Sequence, residues 1–180
     1  MDLKPNFPEA KIFGRARIMT LKPIEMENYQ EVYKGLYFLE SLDKGDVMLV
    51  ANGFKDQAFF GDIMSSLSKM KGVEGTIVEG CTRDKARTIE MKYPVFARDN
   101  TARDIKKRGI VDQVDIGSVK IGDVLVRKGD YIFGDIDGIA VIPAEIKDKI
   151  IEKAIKAAEI EDQIKRSINE GRSVKEITKR

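Results

Sequence analysis

A regular alternation of short apolar strands and helices across residues 47–97 constrains the fold of this chain more than any other feature. Segments 47–51 and 75–79 are apolar and short, as strands buried on both faces usually are. Between them, residues 61–71 carry apolar side chains at helical spacing and are followed by Gly72, a common helix terminator. Because successive parallel strands need crossover connections, this alternation predicts a parallel β-sheet.

The segments that flank this region extend the pattern. Upstream, residues 11–21 are β-rich and residues 28–42 have apolar side chains at helical spacing, which predicts a strand followed by a helix. Downstream, a Lys-Tyr-Pro turn precedes a short predicted strand at 95–97. Thr82 is a candidate N-terminal cap for a short helix that begins at Arg83.

The last third of the chain changes character twice. Residues 111–143 hold several short strands separated by Gly-Asp and Asp-Gly turns, which predicts antiparallel β-structure or an irregular barrel. From Ala144, an apolar stripe predicts a helix of about 24 residues. The stripe consists of Ile146, Ile150, Ala154, Ala157, Ile160, Ile164 and Ile168. We therefore expect an α/β domain over residues 1–143 and a C-terminal helical extension over residues 144–180.

The absence of histidine restricts the chemistry that this chain can perform. Proton transfer near neutral pH must use carboxylates, Lys, Tyr, Cys or a metal-bound water. A bound metal would need mainly oxygen ligands, which favours Mg²⁺ or Mn²⁺ over zinc or copper. The single cysteine, Cys81, excludes both an internal disulfide and a cysteine-rich zinc site.

Charge and hydropathy make several partners unexpected. Lys and Arg number 32 against 30 Asp and Glu, a net charge of +2, so we expect no nucleic-acid partner. No apolar run approaches the roughly 20 residues that span a bilayer, and residues 1–10 lack the apolar core of a signal peptide. We therefore expect a cytoplasmic protein with no membrane partner.

Two turns that lead into helices hold the strongest candidates for chemistry, since ligands of α/β proteins commonly bind at such turns. Free N–H groups at the helix start after Gly61 can hold a carboxylate. Arg83 offers planar donors to a carbonyl or carboxylate oxygen, and Asp84 offers a hard oxygen ligand. The candidate residues are Gly61, Asp62, Ile63, Met64, Arg83 and Asp84. A purely structural role, with helix-dipole and surface ion-pair contacts, also fits these residues.

The spacing of these residues resembles a known family. Gly61-Asp62, twenty further residues and then Arg83-Asp84, with Val-Glu-Gly just before, is similar to the class II pyruvate aldolases. Their type member is 4-hydroxy-4-methyl-2-oxoglutarate aldolase, and the same superfamily includes the regulator of ribonuclease activity A. Blocks at 71–75, 94–98 and 134–143 also match, so the resemblance covers about residues 14–143.

The resemblance implies a fold and an assembly. The expected fold is a single α/β domain with three layers, β/β/α, of the swivelling-domain type, followed by the C-terminal helical extension. The expected assembly is a homotrimer or a homohexamer with sites between neighbouring subunits. The Ile-rich stripe of the extension would then be an assembly surface or a cover, because a long exposed apolar patch is a liability.

The resemblance also implies a role for each candidate residue. The backbone of Gly61, Asp62, Ile63 and Met64 would bind the carboxylate of pyruvate, and Arg83 would contact the keto oxygen and stabilise an enolate. Asp84 would ligate a divalent metal, Mg²⁺ or Mn²⁺, and Asp62 would hold a metal-bound water that moves a proton. The implied reaction is retro-aldol cleavage of a 4-hydroxy-2-oxo acid, decarboxylation of oxaloacetate, or both.

Two departures from the family pattern support an alternative function. Arg87 stands where the aldolases usually have an acidic residue, and we expect the usual first helix of the family to be absent. The alternative is a catalytically inactive regulatory or protein-binding member of the ribonuclease-regulator branch. Because that branch lacks the metal-ligating aspartate after the arginine, Asp84 favours the lyase.

The remaining polar features are better explained by structure than by chemistry. Asp135 and Asp137 flank a single residue between two strands, an arrangement typical of a turn. Cys81 has no neighbouring base in the sequence, which favours a packed thiol. Loop or solvent-exposed roles are also favoured for Asn52, Gln57, Lys106, Lys107 and Arg108.

Overall fold

The computed structural model describes residues 3–24 and 33–178, and it divides the chain into two units, Met1–Pro143 and Ala144–Arg180. The strands of the first unit are β1 (Lys4–Pro5), β2 (Ile12–Pro23), β3 (Asp46–Asn52), β4 (Ala58–Phe60), β5 (Gly75–Thr82), β6 (Val95–Asn100), β7 (Gly109–Val114), β8 (Ser118–Ile121), β9 (Val124–Arg127), β10 (Tyr131–Asp135) and β11 (Gly138–Ile142). Its helices are α1 (Lys34–Glu40), α2 (Asp62–Lys71) and α3 (Lys85–Glu90).

One mixed sheet organises the first unit. Its strand order is β1-β6-β5-β3-β2-β10-β11, while β4 pairs with β5 and β7 pairs with β2. Strands β2, β3, β5 and β6 are mutually parallel, which confirms the predicted parallel sheet. The strands after residue 108 pair in antiparallel fashion, as their turn-rich sequence predicts.

The sheet separates two cores, which accounts for the three layers that the resemblance implies. Along β3, Met48 and Val50 join the core formed with helices α1 and α2, since side chains alternate across a strand. The intervening Val47 and Leu49 join a second core that includes Ile121 of β8. The fold is therefore the expected α/β domain with helical, sheet and β-ribbon layers.

Some local predictions need correction. Thr82 does not cap a helix: it is the last residue of β5, and α3 begins only at Lys85 after Asp84 at its N-cap. The segment before Gly61, expected to be a loop, contains the short strand β4. Gly72 does end α2, in the left-handed conformation at φ 74°. Of the helix predicted at 28–42, residues 28–32 lie outside the described residues.

The second unit is helical, as its apolar periodicity predicts. A 3-10 turn at Ala144–Ile146 leads into α4 (Lys147–Asn169), and α5 (Val174–Ile177) follows. Ser173 and Glu176 form a capping box at the start of α5, in which each side chain bonds the backbone of the other residue. Within the described residues, no helix has the length and apolar character needed to cross a membrane.

Candidate active site

The pairing of β4 with β5 brings the two candidate turns together. Phe60 is in register with Thr82, and the Arg83 N–H donates a hydrogen bond of 3.0 Å to the Phe60 carbonyl. Both strands run in the same direction, so the residues that follow them, Gly61 and Arg83, emerge side by side at one sheet edge. The local pairing thus joins two turns that are twenty residues apart in sequence.

The Asp84 carboxylate links the second turn to the start of α2. Its Oδ2 atom accepts a 3.2 Å hydrogen bond from the Asp62 backbone N–H and lies 3.3 Å from Arg83 Nε. A Cβ atom at Gly61 would overlap Asp84 Oδ2 and lie 3.1 Å from the Arg83 side chain. A side chain at position 61 would therefore displace the Asp84 carboxylate, because the Asp84 and Arg83 side chains lie directly over the Gly61 backbone.

The backbone of Asp84 adopts a conformation that few residues other than glycine accept. Its φ and ψ angles are 58° and 33°, in the left-handed region. Aspartate tolerates this region better than most residues, and such conformations cluster at functional sites. The conformation is accompanied by a carboxylate that turns back toward Gly61 and Asp62.

Asp104 completes the surroundings of Arg83. The Arg83 guanidinium donates through NH1 to Asp104 Oδ2, so it lies between the carboxylates of Asp84 and Asp104. Partial burial alone would raise the pKa of Asp104. Hydrogen bonds from the Lys106 N–H and from Arg83 outweigh this effect and leave the Asp104 pKa below its ordinary value. Asp104 is therefore a carboxylate at neutral pH.

Two recesses meet at Asp62 and Arg83. The first has a cavity volume of about 90 Å³ and an apolar wall that includes Leu36, Phe59 and Met64. This small volume suits a ligand of few atoms. The second is wider and adds Asp84 together with polar residues of the 100–101 segment. The site can thus present apolar contacts and charged groups to one small anionic ligand.

The donor set restricts which metal could bind. Among the described residues, no group of three or more His, Cys, Asp or Glu side chains is arranged to hold a metal ion. Asp84, the carboxylate that the resemblance assigns to the metal, keeps 35% of its side chain exposed. Mg²⁺ commonly binds proteins through one or two carboxylates and takes its other ligands from water and substrate. The residues present fit a metal of that kind and do not form a closed cage.

The structure brings together all six candidate site residues around the start of α2. Met64 is buried at 7% exposure, whereas the Ile63 side chain is 69% exposed, so its backbone is the part suited to ligand binding. Asp62 is the first residue of α2 and lines both recesses with Arg83. Their roles in binding or catalysis remain predictions.

Asp135, Asp137, Cys81 and Gln57 lie in structural settings, whereas Lys106 lines the small recess together with Arg83. The Asp137 N–H donates a 3.0 Å hydrogen bond to Asp135 Oδ1 in the β10–β11 turn. Cys81 is buried, its Sγ donates to the Lys55 carbonyl at 3.2 Å, and burial raises the pKa of its thiol. A raised pKa disfavours the reactive thiolate. Gln57 is half-buried in the segment before β4.

Sequence reasoning missed Asp104 and the apolar wall of Leu36 and Phe59. Asp104 follows the end of β6, the next parallel strand after β5, by four residues. A polar residue at that place carries the same positional signal as Asp84, because carboxyl ends of parallel strands share one edge. The apolar wall has no comparable signal, since its residues also fit an ordinary core.

Comparison with known proteins decides the family. The sequence matches the RraA-like family, described as Aldolase/RraA, over residues 2–141. The chain belongs to this family. It is 30% identical over 169 residues to a Halalkalibacterium halodurans protein named "Putative 4-hydroxy-4-methyl-2-oxoglutarate aldolase", and the match covers 93% of this chain and 77% of that protein. The resemblance inferred from Gly61-Asp62 and Arg83-Asp84 is thereby confirmed.

Two solved structures share the fold. An uncharacterized protein from Pseudomonas syringae is 22% identical, with a TM-score of 0.85 over 98% of this chain and 82% of that one. The RNA-processing inhibitor RraA from Thermus thermophilis is 27% identical, with a TM-score of 0.64 over 79% of this chain and 82% of that one. The RraA-like family thus includes proteins named for a lyase activity and proteins named for inhibition.

Proposed function

We propose that this RraA-like protein is a divalent-metal-dependent carbon–carbon lyase that acts on a 2-keto acid. The observation that carries the proposal is the convergence of Gly61, Arg83 and Asp84 at the start of α2, with Asp84 bonded to the Asp62 N–H. The relative named as a 4-hydroxy-4-methyl-2-oxoglutarate aldolase supports the same reaction class. The proposed reactions are retro-aldol cleavage of a 4-hydroxy-2-oxo acid and decarboxylation of oxaloacetate.

The first turn of α2 would bind the substrate carboxylate. The N–H groups of Ile63 and Met64 lie in this turn, where a helix offers no partner of its own, and the helix dipole favours an anion there. Gly61 lets the ligand approach the backbone closely. A 2-keto acid bound in this way would place its keto oxygen near Arg83.

Arg83 would act on the negative charge that develops on the enolate, and Asp62 would act on the proton transfers. Loss of a proton from the 4-hydroxyl and cleavage of the C3–C4 bond leave the electron pair on the pyruvate enolate, which then takes a proton at C3. Arg83 would stabilise the enolate oxygen through its N–H donors, and Asp62 would transfer protons through water. A Mg²⁺ or Mn²⁺ ion held by Asp84 would supply Lewis acidity toward the keto oxygen.

The decisive experiment measures pyruvate release from oxaloacetate and from a 4-hydroxy-2-oxo acid. We expect turnover with Mg²⁺ or Mn²⁺ above the metal-only blank, loss of turnover with a chelator, and recovery when metal is returned. Arg83→Ala and Asp84→Ala should each reduce turnover at least about 100-fold. Equal rates for the native protein, Arg83→Ala and Asp84→Ala would contradict the proposal.

A second candidate function is regulation without catalysis. Arg87, in place of the usual acid, lies in α3, pairs with Glu90 at 3.1 Å and lines a recess with Asp62, so a paired base stands where the aldolases have an acid. The likeness to the Thermus RNA-processing inhibitor points the same way. Metal binding without turnover on any keto acid, together with a co-purifying protein partner, would favour this function. Turnover that rises in Arg87→Glu would favour the lyase.

We also propose that the protein is a homo-oligomer, a trimer or a hexamer. Stripe residues of the C-terminal unit are exposed, including Ile160 at 53% and Ile168 at 57%, and exposed apolar side chains in such a row favour contact with another surface. Light scattering at micromolar concentration should give a mass of three or six chains. A monomer would contradict this proposal.

A further inference from the structure

Arg83 is held by a carboxylate to which neither the sequence pattern nor the proposed function gives a role. Of its five N–H donors, the Nε–H faces Asp84, and one NH1 hydrogen bonds Asp104. Three donors lie outside these two ion pairs. The two aspartates come from different turns, so together they fix the plane of the guanidinium and determine where the other donors point.

Asp104 is itself held in place by its own turn. Its Oδ1 atom accepts a 2.6 Å hydrogen bond from the Lys106 N–H, and its carbonyl accepts a 2.9 Å hydrogen bond from Arg108. The neighbouring backbone joins β4: the Ala58 N–H donates to the Arg103 carbonyl, and the Ile105 N–H donates to the Ala58 carbonyl. Asp104 is therefore tied to the strand that leads into Gly61.

The backbone of this turn does not depend on the Asp104 carboxylate alone. Ile105 is 2% exposed and belongs to the core with Phe54 and Phe59. Ala58 bonds to the turn through both its N–H and its carbonyl. The turn is thus anchored by burial and by backbone hydrogen bonds. The contact between Asp104 and Arg83, in contrast, lies beside the small recess that both residues line.

We propose that Asp104 is a positioning residue, which orients the Arg83 guanidinium toward the small recess and offsets its positive charge. The inference rests on the proposed function, because Arg83 is the group that would stabilise the enolate. A guanidinium with no second carboxylate would bind any small anion more tightly, since one negative charge beside it is gone. It would also be less well oriented for the transition state. Asp104 therefore favours turnover at the expense of ground-state affinity.

The test separates turnover from binding in Asp104→Ala and Asp104→Asn. We expect kcat to fall about tenfold or more in Asp104→Ala while KM stays constant or falls. Asparagine keeps an acceptor of the same shape, so Asp104→Asn should recover part of the lost kcat. Pyruvate, titrated calorimetrically in the presence of Mg²⁺, should bind at least about threefold more tightly to both variants.

The matched control is Asp56→Ala. Asp56 forms an ion pair with Arg103, the residue before Asp104, and both side chains are more than half exposed. Its removal deletes a carboxylate from the same region without touching Arg83. We expect native kcat, KM and pyruvate affinity in this variant. Thermal unfolding of all variants shows whether each is folded at the assay temperature.

The outcomes distinguish this inference from the proposed function. Turnover in the native protein together with native kcat, KM and pyruvate affinity in Asp104→Ala would overturn the inference alone. Equal losses in Asp104→Ala and Asp56→Ala would also overturn it. If native protein shows no turnover, the lyase proposal fails, and the pyruvate titration still decides the role of Asp104. Failure of pyruvate to bind either the native protein or Asp104→Ala would overturn both this inference and the lyase proposal.

Discussion

Two arginines in this molecule each lie between two aspartates, and the two clusters differ in what they leave exposed. In the first, called the inner cluster, Arg17 contacts Asp46 and Asp115. In the second, called the open cluster, Arg83 contacts Asp84 and Asp104. One aspartate of each cluster has its backbone in the left-handed region, with φ 54° at Asp115 and 58° at Asp84.

The inner cluster is closed around Asp46 and Arg17, whereas 30% of its Asp115 side chain is exposed. The Asp46 side chain is fully buried, lies 2.9 Å from Arg15 as well as 3.2 Å from Arg17, and accepts the Asp43 N–H. Arg17 also lies over the Phe38 ring, with its guanidinium carbon 5.9 Å from the ring centroid. These contacts connect β2, β3 and α1, so the cluster stabilises the fold.

The open cluster also consists of one arginine between two aspartates, but it lies beside the two recesses. Arg83 and Asp84 each keep about a third of the side chain exposed, and Arg83 lines both recesses. The comparison shows that an arginine between two aspartates is not by itself a site. What distinguishes a candidate site is the presence of donors that still face a space of ligand size.

The largest expected difference between the clusters is in turnover. Arg83→Ala should lower kcat/KM about 100- to 1000-fold, because a preorganised donor to the enolate is lost. Its free energy of unfolding should change by less than about 1 kcal/mol, since the pair is partly exposed. Steady-state kinetics and urea unfolding measure the two effects. An inactive variant that is also unfolded would make the open cluster structural.

The reverse pattern is expected for the inner cluster. Arg17→Ala removes one partner from a buried carboxylate and should lower the free energy of unfolding by about 3 kcal/mol, near the lower end of such losses because Arg15 remains. Turnover per folded molecule should be unchanged. Urea unfolding with an activity assay at low temperature tests both. A large fall in kcat at full folding would show that the clusters do not differ as described.

Substitution of Gly61 tests whether the open cluster needs the space above the Gly61 backbone, which the Asp84 and Arg83 side chains occupy. Gly61→Ala should displace Asp84 and Arg83, because its Cβ would overlap the Asp84 carboxylate, and lower kcat about 10- to 100-fold. The matched variant Gly117→Ala places its Cβ in open space. Native kinetics are expected for the latter. Equal kinetics in both variants would show that position 61 tolerates a side chain.

The smallest expected effect is on stability in acid, and it is shared by both clusters. Burial tends to raise the pKa of Asp104 and Asp115, but hydrogen bonds from Arg83 and Arg17 respectively, with other contacts, leave both pKa values lowered. An unfolded aspartate titrates near pH 4, so the unfolded chain binds more protons below that pH. Stability is therefore present above about pH 4 and falls as the pH drops through the folded pKa values. Urea unfolding of Asp115→Asn should show a weaker dependence on pH than the native protein, and an identical dependence would refute this assignment.

The sequence predicts the sheet and the open cluster better than the inner cluster, for a physical reason. Buried parallel strands produce apolar segments that local patterns detect, and their carboxyl ends meet at one edge, which brings Gly61 and Arg83 together. The strand β4 is not predicted because a segment of three residues is too short to show the alternation of apolar and polar side chains. The Thr82 cap fails because β5 continues to pair with β6 as far as Thr82.

Long-range ion pairs are the features that sequence patterns do not contain. Arg17 is 29 residues from Asp46 and 98 from Asp115 in sequence, and Arg83 is 21 from Asp104. Nothing local to these residues specifies which aspartate each arginine meets. The packing of β2 on β3, and of the Asp104 turn on β4, makes that choice.

The measurement that tests the central claim most directly is Mg²⁺-dependent pyruvate release from oxaloacetate by the native protein, Asp84→Ala and Asp115→Ala. Each rate is corrected for the metal-only blank and for the folded fraction. Both substitutions remove a left-handed aspartate that pairs with an arginine, one from each cluster. The expected result is native turnover in Asp115→Ala and turnover at the blank in Asp84→Ala. Equal turnover in the two variants would contradict the account.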